Sequence, residues 1–220
     1  GRYLSGWGMS PQKPVRRAYE RNDAAIGRWL RTEYPAIARQ ARQERAMIYW
    51  GDEMGLRSDH VSGTSFAPRG QTPIVRATGQ RFGCNMISAI TNRGHLAFMV
   101  FHGKFDGRLF IRFMQRLLKQ APGKLYLIVD GHPVHRSVVA IKFVSANAER
   151  LRLIRLPGYC PELNPDELLN QDVKTNGLGK SRPTDRVEMM AGVRTHLRRR
   201  QRQPQVIRNL FKEKHVRYAA

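Results

Sequence analysis

Cysteine is nearly missing from this chain: Cys84 and Cys160 are its only two. They form no motif with each other and offer no disulfide scaffold, which points to a reducing cytoplasm. Long hydrophobic runs are missing as well. No apolar stretch approaches the roughly 18 residues a membrane helix needs, so a spanning protein is excluded. Gly1-Arg2-Tyr3 opens without the charged-then-apolar pattern of a secretory signal. Acidic residues are scarce: 17 Asp+Glu stand against 39 Lys+Arg, for a formal charge of +22 on 220 residues. What is present rules out a disordered basic tail, because 41% hydrophobic content can build a core.

A charge of this size calls for a polyanion, and nucleic acid is the usual one, since each neutralised phosphate releases condensed counterions. An anionic membrane surface is the other candidate. Codon bias is a further source of the excess, because 30 of the basic residues are Arg and 9 are Lys. The charge is uneven. Residues 1–45 carry 10 basic and 4 acidic groups, 46–176 carry 17 and 10, and 177–220 carry 12 and 3. A globular centre between two basic arms is the expected organisation.

The opening stretch through Ser10-Pro11-Gln12-Lys13-Pro14 reads as a linker, interrupted by two prolines. Asn22 and Asp23 can cap a helix carrying Ile26, Trp29 and Leu30, with Pro35 as its breaker. The chain starts with Gly, which suggests a piece of a longer protein or a tag remnant. Met47–Trp50 reads as a short strand ending in Gly51-Asp52-Glu53, and Arg57–Gly70 as a loop or hairpin. Arg81–Thr91 and Leu96–Phe101 read as strands joined by a turn at Asn92-Arg93-Gly94. Asp106–Gln120 has the spacing of an amphipathic helix. Leu125–Val129 is continuously apolar, as a strand buried on both faces should be. Val134–Glu149 reads as a helix and Leu151–Leu156 as a strand. The order predicts an α/β domain with a mixed sheet.

Two acids follow hydrophobic strands, Asp52 and Asp130. Ligands of open α/β sheets gather at the carboxyl ends of strands. Two carboxylates there repel unless a cation joins them, and Mg²⁺ suits that role as a hard ion. A turn-forming Asp is the plainer explanation of either one alone. A third acid comes from Asn164-Pro165-Asp166-Glu167, where Asn164 is a good N-cap and Pro165 suits the first helical position. Glu167 then either closes a capping box or faces the strand-end acids.

Gly51-Asp52-Glu53, Val129-Asp130-Gly131-His132-Pro133-Val134-His135 and Leu156–Glu167 followed by Leu168-Leu169-Asn170 together resemble a DDE transposase. The likeness is strongest to the bacterial insertion-sequence branch (six-thirty type) of the mariner superfamily. It extends from about Ser10 to about Gly179, includes Ala67-Pro68-Arg69-Gly70-Gln71-Thr72-Pro73, and leaves 36 residues between Asp130 and Glu167. The resemblance implies an RNase H-like fold, with Asp52, Asp130 and Glu167 as catalytic residues binding two Mg²⁺ (or Mn²⁺) ions. Such a site would cleave transposon ends and join them to target DNA, by a dimer acting on terminal inverted repeats at the bacterial nucleoid. It also implies a division into 1–45 (linker and helical arm), 46–179 (catalytic domain) and 180–220 (basic helical extension). The helix-turn-helix region that normally precedes the linker would fit only by its end, in residues 1–10. Gly131, Cys160 and Met54 depart from the residues common at their positions, without removing a ligand.

Glu53 and Asp166 are the alternative ligands in a shifted register. His132 and His135 form H-x-x-H, but with Pro133 between them and no companion cluster they do not make a zinc motif. His135 is assigned to the DNA side or to the support of the second Asp. Arg194, Arg198, Arg199, Arg200 and Arg202 continue a helix beginning near Thr184-Asp185, with Val187, Met190, Val193 and Leu197 on its packed face. They are expected to meet phosphates. Val206–Phe211 reads as a short helix docking on the core or on a second protomer. Besides the transposase, two readings stay open here: a DNA-binding remnant that no longer cuts, and an RNase H-like nuclease acting on hybrids or junctions.

Overall fold

The computed structural model describes residues 2–10, 18–59, 66–72, 74 and 78–220, except for the side chains of Arg2 and Lys180. The linker prolines Pro11 and Pro14, residues 60–65 of the stretch expected as a loop after Arg57, and Pro73 lie outside those residues. A short helix α1 (Arg2–Gly6) opens the chain, and α2 (Asp23–Arg28) begins at Asn22, whose side chain accepts from the Ala25 N–H. Pro35 does not end the helical run. The chain passes through one π turn (Trp29–Glu33) into α3 (Tyr34–Gln43). Proline lacks an N–H, and a wider turn just before it accommodates the ring without ending the helix.

Five strands form one mixed sheet in the order β3-β2-β1-β4-β5. They are β1 (Met47–Arg57), β2 (Gly83–Ile90), β3 (Leu96–Phe101), β4 (Leu125–Val129) and β5 (Leu151–Arg155). β1 pairs antiparallel with β2 and parallel with β4, and β4 pairs parallel with β5. The expected short strand ending before Asp52 is therefore longer. The parallel pairing with β4 stops at Trp50, while β1 continues to Arg57 against β2 alone. Asp52 thus lies inside a strand, yet beside the free end of β4.

Helices cover both faces. On one lie α4 (Gly107–Gln120), capped by Asp106, and α5 (Val138–Ala146), burying Phe110, Phe113 and Leu117 against Leu125, Leu127 and Val129. The expected single helix from Val134 is a 3₁₀ turn (Pro133–Arg136) and then α5, because Ser137 leaves the helical conformation and caps the second piece. On the other face α2, α3, α6 (Asp166–Asp172), α7 (Arg186–Gln201) and α8 (Pro204–Leu210) share a core with Trp50, Met86 and Ile128. α7 buries Met189, Val193, His196 and Leu197. Val187, expected on that face, is exposed because its neighbour at 189 takes the inward position. The segment after α8 docks on the core too: Tyr218 packs edge-on against Tyr34 and Trp50. Its hydroxyl receives the Trp29 indole N–H at 3.1 Å and donates to the Leu163 carbonyl at 2.9 Å. No helix among the described residues is long and apolar enough to cross a membrane.

Candidate active site

The carboxyl ends of β4 and β5 and the start of α6 enclose a cavity of about 610 Å³ lined by Asp52, Asp130 and Glu167. Each is placed by its own backbone device. Asp52 stands where β1 outruns β4, and a side chain at Gly51 before it would be crowded: a Cβ would lie 3.2 Å from both the Leu127 side chain and the Ser88 carbonyl. Asp130 is the first residue after β4. Glu167 is in the first turn of α6, whose start is fixed by Asn164. The Asn164 side chain accepts from the Asp166 N–H and donates to the Gly51 carbonyl, tying the helix to β1. The Asn164 N–H bonds the Pro161 carbonyl, so no capping box forms and the Glu167 carboxylate remains free to line the cavity.

The shifted register places its acids differently. Asp166 is fully buried and accepts from Ser88 Oγ at 2.6 Å, pointing at β2 and away from the cavity. Burial lifts its carboxyl well above the usual range. Glu53 faces the other side of β1, toward His132 and His135. Among the described residues, the set of three whose donor atoms lie within 4.8 Å of one another is Glu53, Asp130 and His135, not the three acids of the cavity. Of the neighbouring charges, Glu167 acts most strongly on Asp52 and Asp130 least.

The electrostatics follow from that crowding. Burial first, then repulsion from Glu167, Asp166, Glu53 and Asp130, pushes the Asp52 carboxyl up to about 10. Its one neutral partner is Asn170, donating at 2.7 Å. Burial would also raise Asp130, but the His135 imidazole at 3.1 Å and the His132 N–H at 3.0 Å hold it below its ordinary value. Glu53 rises to about 7 through burial and the charge of Asp130. An all-oxygen donor set that cannot comfortably hold its own negative charge fits a hard divalent cation. Cys160, buried beside the cavity, directs its thiol at the Pro157 carbonyl, as a serine hydroxyl would.

Sequence reasoning missed Asn164, Asn170 and Ser88 as supports of the acids. Only Asn164 carried a signal, as a helix cap. It also missed Arg136 and Arg155, which line the same cavity. The arginines expected to meet phosphate separate into two groups. Arg200 binds both oxygens of Asp172 at 2.6 and 2.7 Å, and Arg194 donates to the Val100 carbonyl. Arg198, Arg199 and Arg202 are exposed. His135 is buried, facing Asp130 and Glu53 and not the surface.

A mixed sheet of this strand order, covered by helices on both faces and with three acids lining a cavity at the ends of its central strands, is an RNase H-like fold. The chain belongs to the DDE superfamily endonucleases, whose family profile matches residues 47–190. A winged helix-turn-helix profile matches residues 1–33. Among solved structures, the Mos1 transposase paired-end complex with the left transposon end superposes with a TM-score of 0.67 at 13% identity, covering 99% of this chain and 69% of that one. The Mos1 strand transfer complex gives 0.66 and 13%, covering 100% and 69%. The Mos1 mariner catalytic domain gives 0.59 and 9%, covering 93% and 98%. Among curated proteins there is no significant match.

Proposed function

We propose that this chain is the catalytic part of a DNA transposase of the bacterial insertion-sequence branch (six-thirty type) of the mariner superfamily. It cuts and rejoins DNA strands at the ends of its own element. The observation that carries this reading is one cavity reached by Asp52, Asp130 and Glu167 from three separate elements, inside a DDE endonuclease domain.

The three carboxylates would hold two Mg²⁺ or Mn²⁺ ions, which when bound supply charge neutralisation and an activated oxygen nucleophile for in-line phosphoryl displacement. The chain's own residues prepare the ligands. The Asn170 amide fixes one oxygen of Asp52, and the His135 imidazole and His132 N–H orient Asp130. Asn164 holds the start of α6 against β1, so Glu167 cannot drift from the strands. Residues 46–179 act as the catalytic domain, with 1–45 and 180–220 as basic arms on duplex DNA at the nucleoid. Arg198, Arg199 and Arg202 supply phosphate contacts, and a dimer pairs the two inverted repeats.

The test is Glu167→Gln. Mn²⁺-dependent nicking of terminal-repeat DNA should fall by at least about a thousandfold, as expected when a group acting in the transition state is lost. DNA binding by gel shift should stay within twofold to threefold. Undiminished nicking overturns the assignment.

A further inference from the structure

The cavity holds more than acids. Arg136, at the end of the 3₁₀ turn, and Arg155, the last residue of β5, line it together with Tyr159. Arg155 is the register partner of Val129, the residue just before Asp130. Both guanidiniums are exposed, and no described carboxylate pairs with either, unlike Arg21 or Arg200. Among the described residues Tyr159 is one of two non-glycines with positive φ, at 56°, and it is 59% exposed. Holding an aromatic in the left-handed region costs on the order of 1 kcal/mol, yet more than half of this residue's surface stays open to solvent. The ring is instead kept at the wall of an open cavity.

Two unpaired guanidiniums and an aromatic face are the recognition chemistry of a nucleotide, with phosphates on the arginines and the base against the ring. About 610 Å³ lies within the range of small-molecule sites and is roomy enough for one nucleotide. A base inside a duplex has both faces covered by its neighbours, so only one that has left the stack offers a face to that ring. Resting on the transposase reading above, we infer that Arg136, Arg155 and Tyr159 form a subsite for a single nucleotide unstacked from the duplex, next to the phosphate that is cut. Tyr159 stacks on its base and the two arginines hold its phosphates. Because the arginines carry opposite charge to the acids, they draw the backbone into a cavity that would otherwise repel it.

Binding in a Ca²⁺ buffer tests the subsite apart from cleavage. The probes are terminal-repeat duplexes with a one-nucleotide flap at the cleavage position, carrying a base, an abasic sugar or a neutral methylphosphonate. Wild type should bind the base flap about 10-fold tighter than the abasic flap, the scale of one base-on-ring stack. Tyr159→Ala should abolish that preference and Tyr159→Phe should keep it. Arg136→Ala/Arg155→Ala should weaken binding about 10-fold and become indifferent to methylphosphonate substitution. Equal wild-type affinity for base and abasic flaps, or a Tyr159→Ala loss of the same size on both, overturns the inference. Nicking with Mn²⁺ is measured in parallel. A protein that shows the flap pattern but never nicks retains the subsite and loses the transposase reading.

Discussion

At the start of α6, Glu167 looks into a cavity it shares with Asp52 and Asp130, while Asp172 at the helix's last residue meets a full set of donors. His196 Nε2 lies 2.7 Å from Asp172, Arg200 binds it through two nitrogens, and Asn176 donates at 2.9 Å. Burial would raise the Asp172 carboxyl, but these bonds hold it far below its ordinary range. Asp52 at the other end is driven the opposite way, by burial and by other acids. Both regions withdraw charge from water. Only one is balanced from within, and that one fastens α7 to α6. The unbalanced region is where a cation and a polyanion have something to gain.

The largest test of this contrast removes the balanced acid. Asp172→Ala leaves buried His196 and half-buried Arg200 without their partner and should cost about 3 kcal/mol in a denaturant melt. A loss below about 1 kcal/mol would mean that the network does not fasten α7. Its pH dependence has a definite sign. A carboxyl lowered on folding adds stability that is present above its unfolded value, near 3.8, and lost as pH falls through the folded one, so this network's contribution should be lost only in acid.

Next is Asp52→Asn, where relief should replace loss. A carboxyl near 10 when folded and 3.8 when unfolded holds a proton that the unfolded chain has released. Metal-free wild type should therefore lose stability as pH rises between those values. The variant should show a flatter profile and, at pH 8, a melting temperature higher by several degrees. A lower melting temperature at that pH would argue against a frustrated acid. The smallest effect belongs to the link between the site and the strand. Asn164→Ala removes a helix cap and the bond to Gly51, for about 1–2 kcal/mol. Nicking should suffer more than the melt suggests, because Glu167 loses its fixed distance from β1. An unchanged nicking rate would show that α6 is positioned without it.

Much of the fold was legible because periodicity and caps agree: Asp106 before α4, the unbroken apolar β4, and the alternation of strands and helices. What failed locally failed for physical reasons. Pro35 was expected to end a helix, yet tertiary packing of Trp29 and Tyr34 keeps it running through a π turn. Asp52 looked like a strand-end residue because β1 changes partners at Trp50, a fact of pairing and not of composition. In the site, the resemblance assigned Glu167 and kept Asp166 as the alternative of a shifted register, but nothing in the motif itself says what turns Asp166 inward to the core. That is decided by Ser88, a residue about 80 positions earlier whose hydroxyl captures Asp166. The arginines of α7 read as one uniform row, whereas Asp172 claims Arg200 and leaves Arg198 and Arg202 outside.

Tyr218 joins three distant parts of the chain with one hydroxyl, linking Trp29 near the beginning to Leu163 just ahead of α6. A residue translated well after all three acids thus completes the footing of α6. A chain cut a few residues before Tyr218 would keep Asp52, Asp130 and Glu167 and have none of this joint. Loss at this end should then be abrupt, because the same short segment that closes the aromatic cluster also steadies the approach to α6.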